Sequence, residues 1–194
     1  MAVVLVPMAQ GFEEMELTIT VDVLRRGGLE VRTAALGADT APVRGSRGML
    51  MVPDTTLEAV PRGEIELLAL PGGKEGSERL AADGRLLELV RWLHGQGRWV
   101  AAICAAPLVL KAAGIVTGAT PVTSHPATAA EFAGFTYMPH RVVVAGRVVT
   151  SRAAGTTFEF ATTLLQLLRG PAAVREVNRG LLALLPDQLP EQLA

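Results

Sequence analysis

Cys104 is the only cysteine in a chain of 194 residues, and it stands where an apolar run, Trp99 to Ile103, approaches Pro107. An α-helix tolerates proline only in its first turn, so the helix start falls at about Cys104 to Ala106. A thiol at such a junction faces unpaired backbone N–H groups, and the positive end of the helix dipole lowers its pKa and raises its thiolate fraction. The chemistry such a group supports is nucleophilic attack. The alternative is inert burial, because free cysteine is among the most buried residue types and packs as a small hydrophobe. Ala102, Ala105 and Ala106 are small enough to leave space for a substrate beside the sulfur.

Three further residue types bear on that chemistry. Glu13, Glu14 and Glu16 follow Gly11, and acidic residues in a first helical turn complement the macrodipole at the surface, which accounts for Glu13 and Glu14 and is the alternative reading of Glu16. If Glu16 touches Cys104, the carboxyl carries a proton, since two anions at hydrogen-bond distance are unfavourable unless they share one. His125, followed by Pro126, suits a turn or helix start as well as it suits a base. His94 and His140 have no partner in sequence, and the three histidines form no ligand spacing with Cys104, so no structural metal is expected. Arg152 fits either an anion anchor or an exposed arginine at a helix start.

The elements that must position these groups alternate along the chain. Strands are predicted at Ala2 to Val6, Leu29 to Ala35, Glu64 to Leu70, Trp99 to Ile103, Pro121 to Thr123, Arg141 to Ala145 and Arg147 to Thr150, with a hairpin or two short strands in Val43 to Val52. Helices are predicted over Glu13 to Arg26, Asp83 to Gly95, Pro107 to Ala113 and Thr156 to Leu168. In the second of these, Leu86, Leu87, Val90, Leu93 and His94 share helical spacing. This order predicts an α/β sandwich with a mostly parallel sheet, in which sites collect beyond the carboxyl ends of strands. Three such ends carry suggestive residues: Gly11 to Glu16, Pro71-Gly72-Gly73, and Cys104.

The composition narrows the classes. Hydrophobic residues make up 49% of the chain, enough for the core of one domain spanning 1–194. A formal charge of −1 shows no basic footprint for nucleic acid or anionic membrane, and 4% aromatic residues argue against base stacking. One cysteine excludes an intramolecular disulfide, which suits a reducing, cytoplasmic location. Met1 to Val6 has no basic segment before it, and Pro7 ends the run before a signal-peptide core is complete. No Walker A or full dinucleotide fingerprint occurs, and Gly72-Gly73 alone is weak support for phosphate binding. The segment 181–194, with Pro186 and Pro190, reads as a loosely ordered tail.

Taken together, Gly11-Phe12-Glu13-Glu14-Met15-Glu16, Leu70-Pro71-Gly72-Gly73, Ala101-Ala102-Ile103-Cys104-Ala105, Thr123-Ser124-His125-Pro126, and Thr150-Ser151-Arg152 with Gly155-Thr156-Thr157-Phe158-Glu159-Phe160 resemble the ThiJ/PfpI superfamily. The likeness is to its branch of the Parkinson-associated protein deglycase and bacterial relatives. The resemblance implies a flavodoxin-like three-layer sandwich, a homodimer, no cofactor, and a redox-sensitive nucleophilic cysteine at Cys104 with Glu16 as its acidic partner. It implies oxyanion or substrate donors at Gly72, Gly73 and Ala105, a nearby histidine at His125, and dimer-interface or site-flanking positions at Asp22, Arg26 and Arg47. Ala106 stands where glycine is common and Ala154 where proline is frequent, which changes pocket width and loop stiffness. Ala105 stands where the proteolytic branch has histidine, against a peptidase dyad. The activity implied is a glyoxalase or deglycase acting on small dicarbonyls or glycated protein; oxidation sensing through Cys104 and amide hydrolysis are the alternatives.

Overall fold

The structure is a computed structural model that describes residues 3–182. In chain order it contains β1 (Val3–Met8), α1 (Glu14–Arg26), β2 (Glu30–Ala35), β3 (Val43–Arg44), β4 (Leu50–Met51), β5 (Thr55–Thr56) and β6 (Ile65–Leu70). There follow α2 (Lys74–Ala82), α3 (Gly84–Gly95), β7 (Trp99–Ile103), α4 (Pro107–Ala113), β8 (Val142–Ala145), β9 (Val148–Ser151), α5 (Thr157–Arg169) and α6 (Pro171–Leu181). Seven strands form one sheet in the order β5-β2-β1-β6-β7-β9-β8, and β3 and β4 pair separately as an antiparallel hairpin. All neighbours in the large sheet run parallel except the β8–β9 pair.

The strand sequences explain the layers. β1, β6 and β7 are nearly continuous apolar runs, as strands covered on both faces must be, and their side chains alternate between two cores. Val3, Leu5, Leu68, Leu70, Val100 and Ala102 pack with Leu80 of α2, Val90 of α3 and Leu110 of α4. Val4, Val6, Leu67, Ala69, Ala101 and Ile103 pack with Leu17 of α1, Phe160 of α5 and Val174 of α6. The predicted three-layer, flavodoxin-like α/β arrangement is the observed one.

α1 shows how local chemistry fixes an element. Glu13 caps it by accepting from the Glu16 N–H at 2.7 Å, and Arg25 and Arg26 occupy the last turn, where positive charge complements the dipole. Gly27 closes it; a Cβ there would lie 2.2 Å from Leu165 Cδ1, so the glycine permits the close approach of α1 and α5.

Several element boundaries differ from expectation. Pro7 lies within β1, paired with Ala34 of β2; β1 pairs with β6 only over Val3 to Leu5, so the missing N–H falls beyond that ladder. α2, α6 and β5 are additional elements. Pro121 to Thr123 forms no strand but a single bridge, Val122 with Tyr137. The tail expected at 181–194 lies outside the described residues from 183 onward.

β1, β6 and β7 are neighbours, so the loops after them meet at one edge. Successive strands are added on one side from β1 to β5 and on the other from β6 to β9, which makes the β1–β6 boundary a topological switch point, where open α/β sheets place ligands.

Candidate active site

The loops after β1 and β6 are locked together through their backbones, and the β3–β4 hairpin is tied to the first of them. Glu13 donates its N–H to the Gly72 carbonyl at 3.0 Å, Gly76 donates to the Gly11 carbonyl at 3.3 Å, and Ser46 donates to the Phe12 carbonyl at 2.7 Å. Gly73 has φ +87°, and a Cβ at that position would sit 2.2 Å from the Gly11 carbonyl oxygen. Only glycine satisfies both constraints.

Cys104 adopts φ +65°, one of two described non-glycine residues with positive φ. This left-handed conformation costs on the order of 1–2 kcal/mol, and it is held by partners on both sides. The Cys104 N–H donates to the Ser151 carbonyl at 3.0 Å, and the Cys104 carbonyl accepts from the His125 N–H at 2.7 Å. The result is a sharp turn between β7 and α4. The helix proper begins at Pro107 with Ala106 as its cap, so Cys104 lies just outside the helix.

Glu16 is fully buried on the first turn of α1. Its Oε2 accepts from the Gly72 N–H at 2.7 Å, while Oε1 is buried without a partner of regular hydrogen-bond geometry. The thiol of Cys104 interacts with this carboxyl, and the N–H groups of Gly73 and Ala105 are directed at the thiol. Burial pushes the Glu16 carboxyl up to about 7, against the lowering contacts from Cys104 and Gly72. Burial, followed by the Glu16 charge, pushes the Cys104 thiol up to about 12, against the lowering contacts from Gly73 and Ala105.

The fall in thiol pKa expected from the helix dipole is therefore reversed. Desolvation and a neighbouring carboxylate outweigh the N-terminus of a seven-residue helix. The two groups titrate as a coupled pair: both are held above their ordinary values by burial, and a charge on Glu16 opposes the thiolate. In the singly protonated pair, a proton on Glu16 removes the charge that opposes the thiolate and turns the carboxyl into a donor. The Gly73 and Ala105 N–H groups act toward that form, but with the thiol pushed up to about 12 and the carboxyl to about 7 the proton rests mainly on Cys104, and the thiolate beside a protonated Glu16 is the minor arrangement.

His125 is brought beside Cys104 by its backbone, whereas its imidazole Nδ1 accepts from the Ala127 N–H at 3.1 Å. In the neutral ring, the proton then sits on Nε2, leaving the imidazole a donor rather than a base. Arg152 donates from Nη1 to the Pro139 carbonyl at 3.0 Å, tying two loops together. Arg26 pairs with Asp22 at 2.7 Å on the outer face of α1, with both side chains about half exposed. Arg47 contributes its backbone N–H to Glu14 at 2.6 Å, and its side chain is exposed.

Glu14 departs from the surface role expected for it. It is 4% exposed and holds the loop between β3 and β4, accepting from the Arg47 N–H, the Ser46 hydroxyl at 3.0 Å and the Met49 N–H at 3.4 Å. Burial acts to raise its pKa, but those donors together hold it below the ordinary value. A Cβ at Gly45 would lie 2.4 Å from the Glu14 carboxyl, so the glycine at the start of this loop is the local signal of a buried partner.

The fold and the strand-end cysteine with its buried carboxyl define a class, and comparison with known proteins identifies it. The model of the DJ-1/PfpI family matches residues 2–167, and the chain belongs to that family. It is 41% identical to the Parkinson disease protein 7 homolog of Danio rerio over 182 residues, 92% of this chain and 95% of the relative. It is 39% identical to the glutathione-independent glyoxalase DJR-1.2 of Caenorhabditis elegans over 182 residues, 93% of this chain and 95% of the relative. Among solved structures, Drosophila melanogaster DJ-1beta superposes with a TM-score of 0.90 at 37% identity, covering 94% of this chain and 98% of the other.

Proposed function

We propose that the protein is a cofactor-independent glyoxalase or deglycase that converts methylglyoxal, glyoxal or early glycation adducts to 2-hydroxy acids, with Cys104 as nucleophile and Glu16 as proton carrier. The carrying observation is the buried Glu16 carboxyl, displaced to about 7 beside a thiol that two backbone N–H groups face. Kinship with a relative named as a glutathione-independent glyoxalase supports the same reading.

The Cys104 thiolate attacks the aldehyde carbon of methylglyoxal; the new S–C bond forms as the carbonyl electron pair moves to oxygen. Gly73 and Ala105 N–H groups stabilise that oxyanion, and Glu16 supplies its proton to give a hemithioacetal. The resulting Glu16 carboxylate removes the proton from the former aldehyde carbon, giving an enediol, and delivers it to the adjacent carbon, while the hemithioacetal hydroxyl loses its proton to become the thioester carbonyl and the former ketone oxygen gains one to become the 2-hydroxyl. This leaves a thioester of a 2-hydroxy acid on Cys104. Water cleaves the thioester, releasing lactate and restoring the thiol, so the net reaction adds one water to methylglyoxal. His125 assists as a donor through Nε2 rather than as a base.

A homodimer is part of this proposal. Met15, Met49, Leu50 and Val52 are large apolar residues more than half exposed, and the Glu14 clamp joins the first two locally. Asp22, Arg26 and Arg47 supply polar contacts around such a face. Sedimentation at micromolar concentration tests it, with a single-chain mass of 20.4 kDa as the contrary result.

The activity is tested by NMR of methylglyoxal with the purified protein in the absence of glutathione; lactate must accumulate. A second reading, peroxide sensing, draws on the same contacts, because a protonated Glu16 can hydrogen-bond a Cys104 sulfinate. Selective gain of two oxygens at Cys104 without lactate formation favours that reading.

A further inference from the structure

The turn that aims Cys104 leans on the end of β9. Ser151, the last residue of β9, is paired with Ile103, and its carbonyl extends that ladder by accepting the Cys104 N–H at 3.0 Å. That bond holds the residue whose φ is +65°. Beyond Ser151 the chain leaves the sheet through Arg152 and Ala153, and both of their N–H groups donate to one side-chain atom, Thr156 Oγ1, at 3.3 and 3.1 Å. The same atom lies 2.7 Å from the Ser151 hydroxyl, and both residues are buried. Proton counting gives that contact its direction. Ser151 Oγ is 2.7 Å from the Arg141 carbonyl, and Thr156 Oγ1 is 2.8 Å from the Ala153 carbonyl, which already accepts the Thr156 N–H at 2.8 Å. Donation from Thr156 to Ser151, and from Ser151 to Arg141, serves every acceptor with the two protons present. One hydroxyl thus gathers the segment that carries the Ser151 carbonyl.

We propose that Thr156 is a positioning residue for Cys104: its buried hydroxyl fixes the turn after β9, and through the Ser151 carbonyl that turn holds the backbone of Cys104 in its left-handed conformation. Such a conformation persists only while its surroundings over-determine it. A turn whose two N–H groups lose their acceptor rearranges to regain one, because a buried donor without a partner is costly. The Cys104 carbonyl is held separately by the His125 N–H at 2.7 Å, so loss of the Thr156 hydroxyl frees one side of the elbow and leaves the other in place. No substrate contact is assigned to Thr156; it acts through Ser151 and Cys104. This rests on the reading of Cys104 as nucleophile, not on the identity of the aldehyde.

The test follows amide hydrogen exchange by NMR in the full chain for wild type, Thr156→Val and Thr156→Ser. Alongside it, the rate of Cys104 alkylation by iodoacetamide is read by intact mass just below the ordinary thiol pKa of about 8.5. Thr156→Val keeps the side-chain shape and removes the hydroxyl. The Cys104 amide should then exchange about tenfold faster, while Ala101 and Ala102 in the same strand keep their protection. Alkylation should quicken by about the same factor, because a sulfur released from the buried carboxyl ionises more readily. Thr156→Ser should restore both. A uniform rise in exchange across β7 marks a loss of global stability and overturns the assignment, as does an unmoved Cys104 amide, an unmoved alkylation rate, or failure of serine to restore them. If Thr156→Val folds too weakly to measure, Ser151→Ala, which cuts the same link from its other end, must give the same selective change. Lactate formation from methylglyoxal is measured separately, so failure of the proposed substrate leaves this result readable.

Discussion

The Gly72 N–H binds Glu16 Oε2 at 2.7 Å, and a Cβ on Gly72 would lie 2.6 Å from that oxygen and 2.5 Å from the Cβ of Cys104. The glycine is thus the spacer that lets carboxyl and thiol meet. Gly72→Ala must displace one of them or the Ile103 carbonyl, 2.9 Å away. The expected result is a loss of about 100-fold in kcat/KM for dicarbonyl turnover, because small misplacements of reacting groups are that costly. A thermal melt should show about 1–3 kcal/mol of destabilisation, typical of overpacking.

Cys104 separates stability from activity. Its φ of +65° suits glycine, so Cys104→Gly should be more stable than Cys104→Ala by about 1 kcal/mol in urea titration, although neither retains turnover. Equal stability would show that the turn is unstrained.

Glu16 gives a signed pH dependence. Its folded-state value is raised from 4.5 to about 7, so the folded protein binds more protons than the unfolded chain between those limits. Its effect on stability is therefore neutral below 4.5 and grows unfavourable up to about 7, where it reaches on the order of 3 kcal/mol. Glu16→Gln should flatten the fall in stability between pH 4.5 and 7, measured by urea titration, and lower kcat by about 100-fold or more.

Glu14 has the opposite sign. Held below its ordinary value by the loop donors once burial is overcome, it contributes stability above that value, and the contribution disappears as pH falls through its folded-state pKa. Glu14→Ala leaves the Arg47 and Met49 N–H groups unpaired and should cost about 1–3 kcal/mol. Hydrogen exchange at residues 45–49 should quicken.

The readable parts of the sequence were those in which one residue type had one use. Apolar strands buried on both faces, proline at the start of α4 and glycine after β6 located the sheet, the elbow and the loop that meet at Cys104. What escaped depended on tertiary contacts. α2 carries Lys74, Glu75, Glu78 and Arg79, with little apolar periodicity, and it is anchored mainly through Gly76, Ser77 and Leu80. Glu14 looked like a first-turn surface acid because its donors lie more than 30 residues away. The pKa of Cys104 could not follow from the dipole alone, since burial and Glu16 dominate it.

The central claim is that Cys104 and Glu16 together convert a dicarbonyl to a 2-hydroxy acid. It is tested most directly by comparing lactate formation from methylglyoxal by wild type, Cys104→Ala and Glu16→Gln, without glutathione or added cofactor. The account predicts turnover by wild type, none above background for Cys104→Ala, and about a hundredth or less for Glu16→Gln. Equal lactate from wild type and Cys104→Ala, or none from the folded wild type, would contradict it.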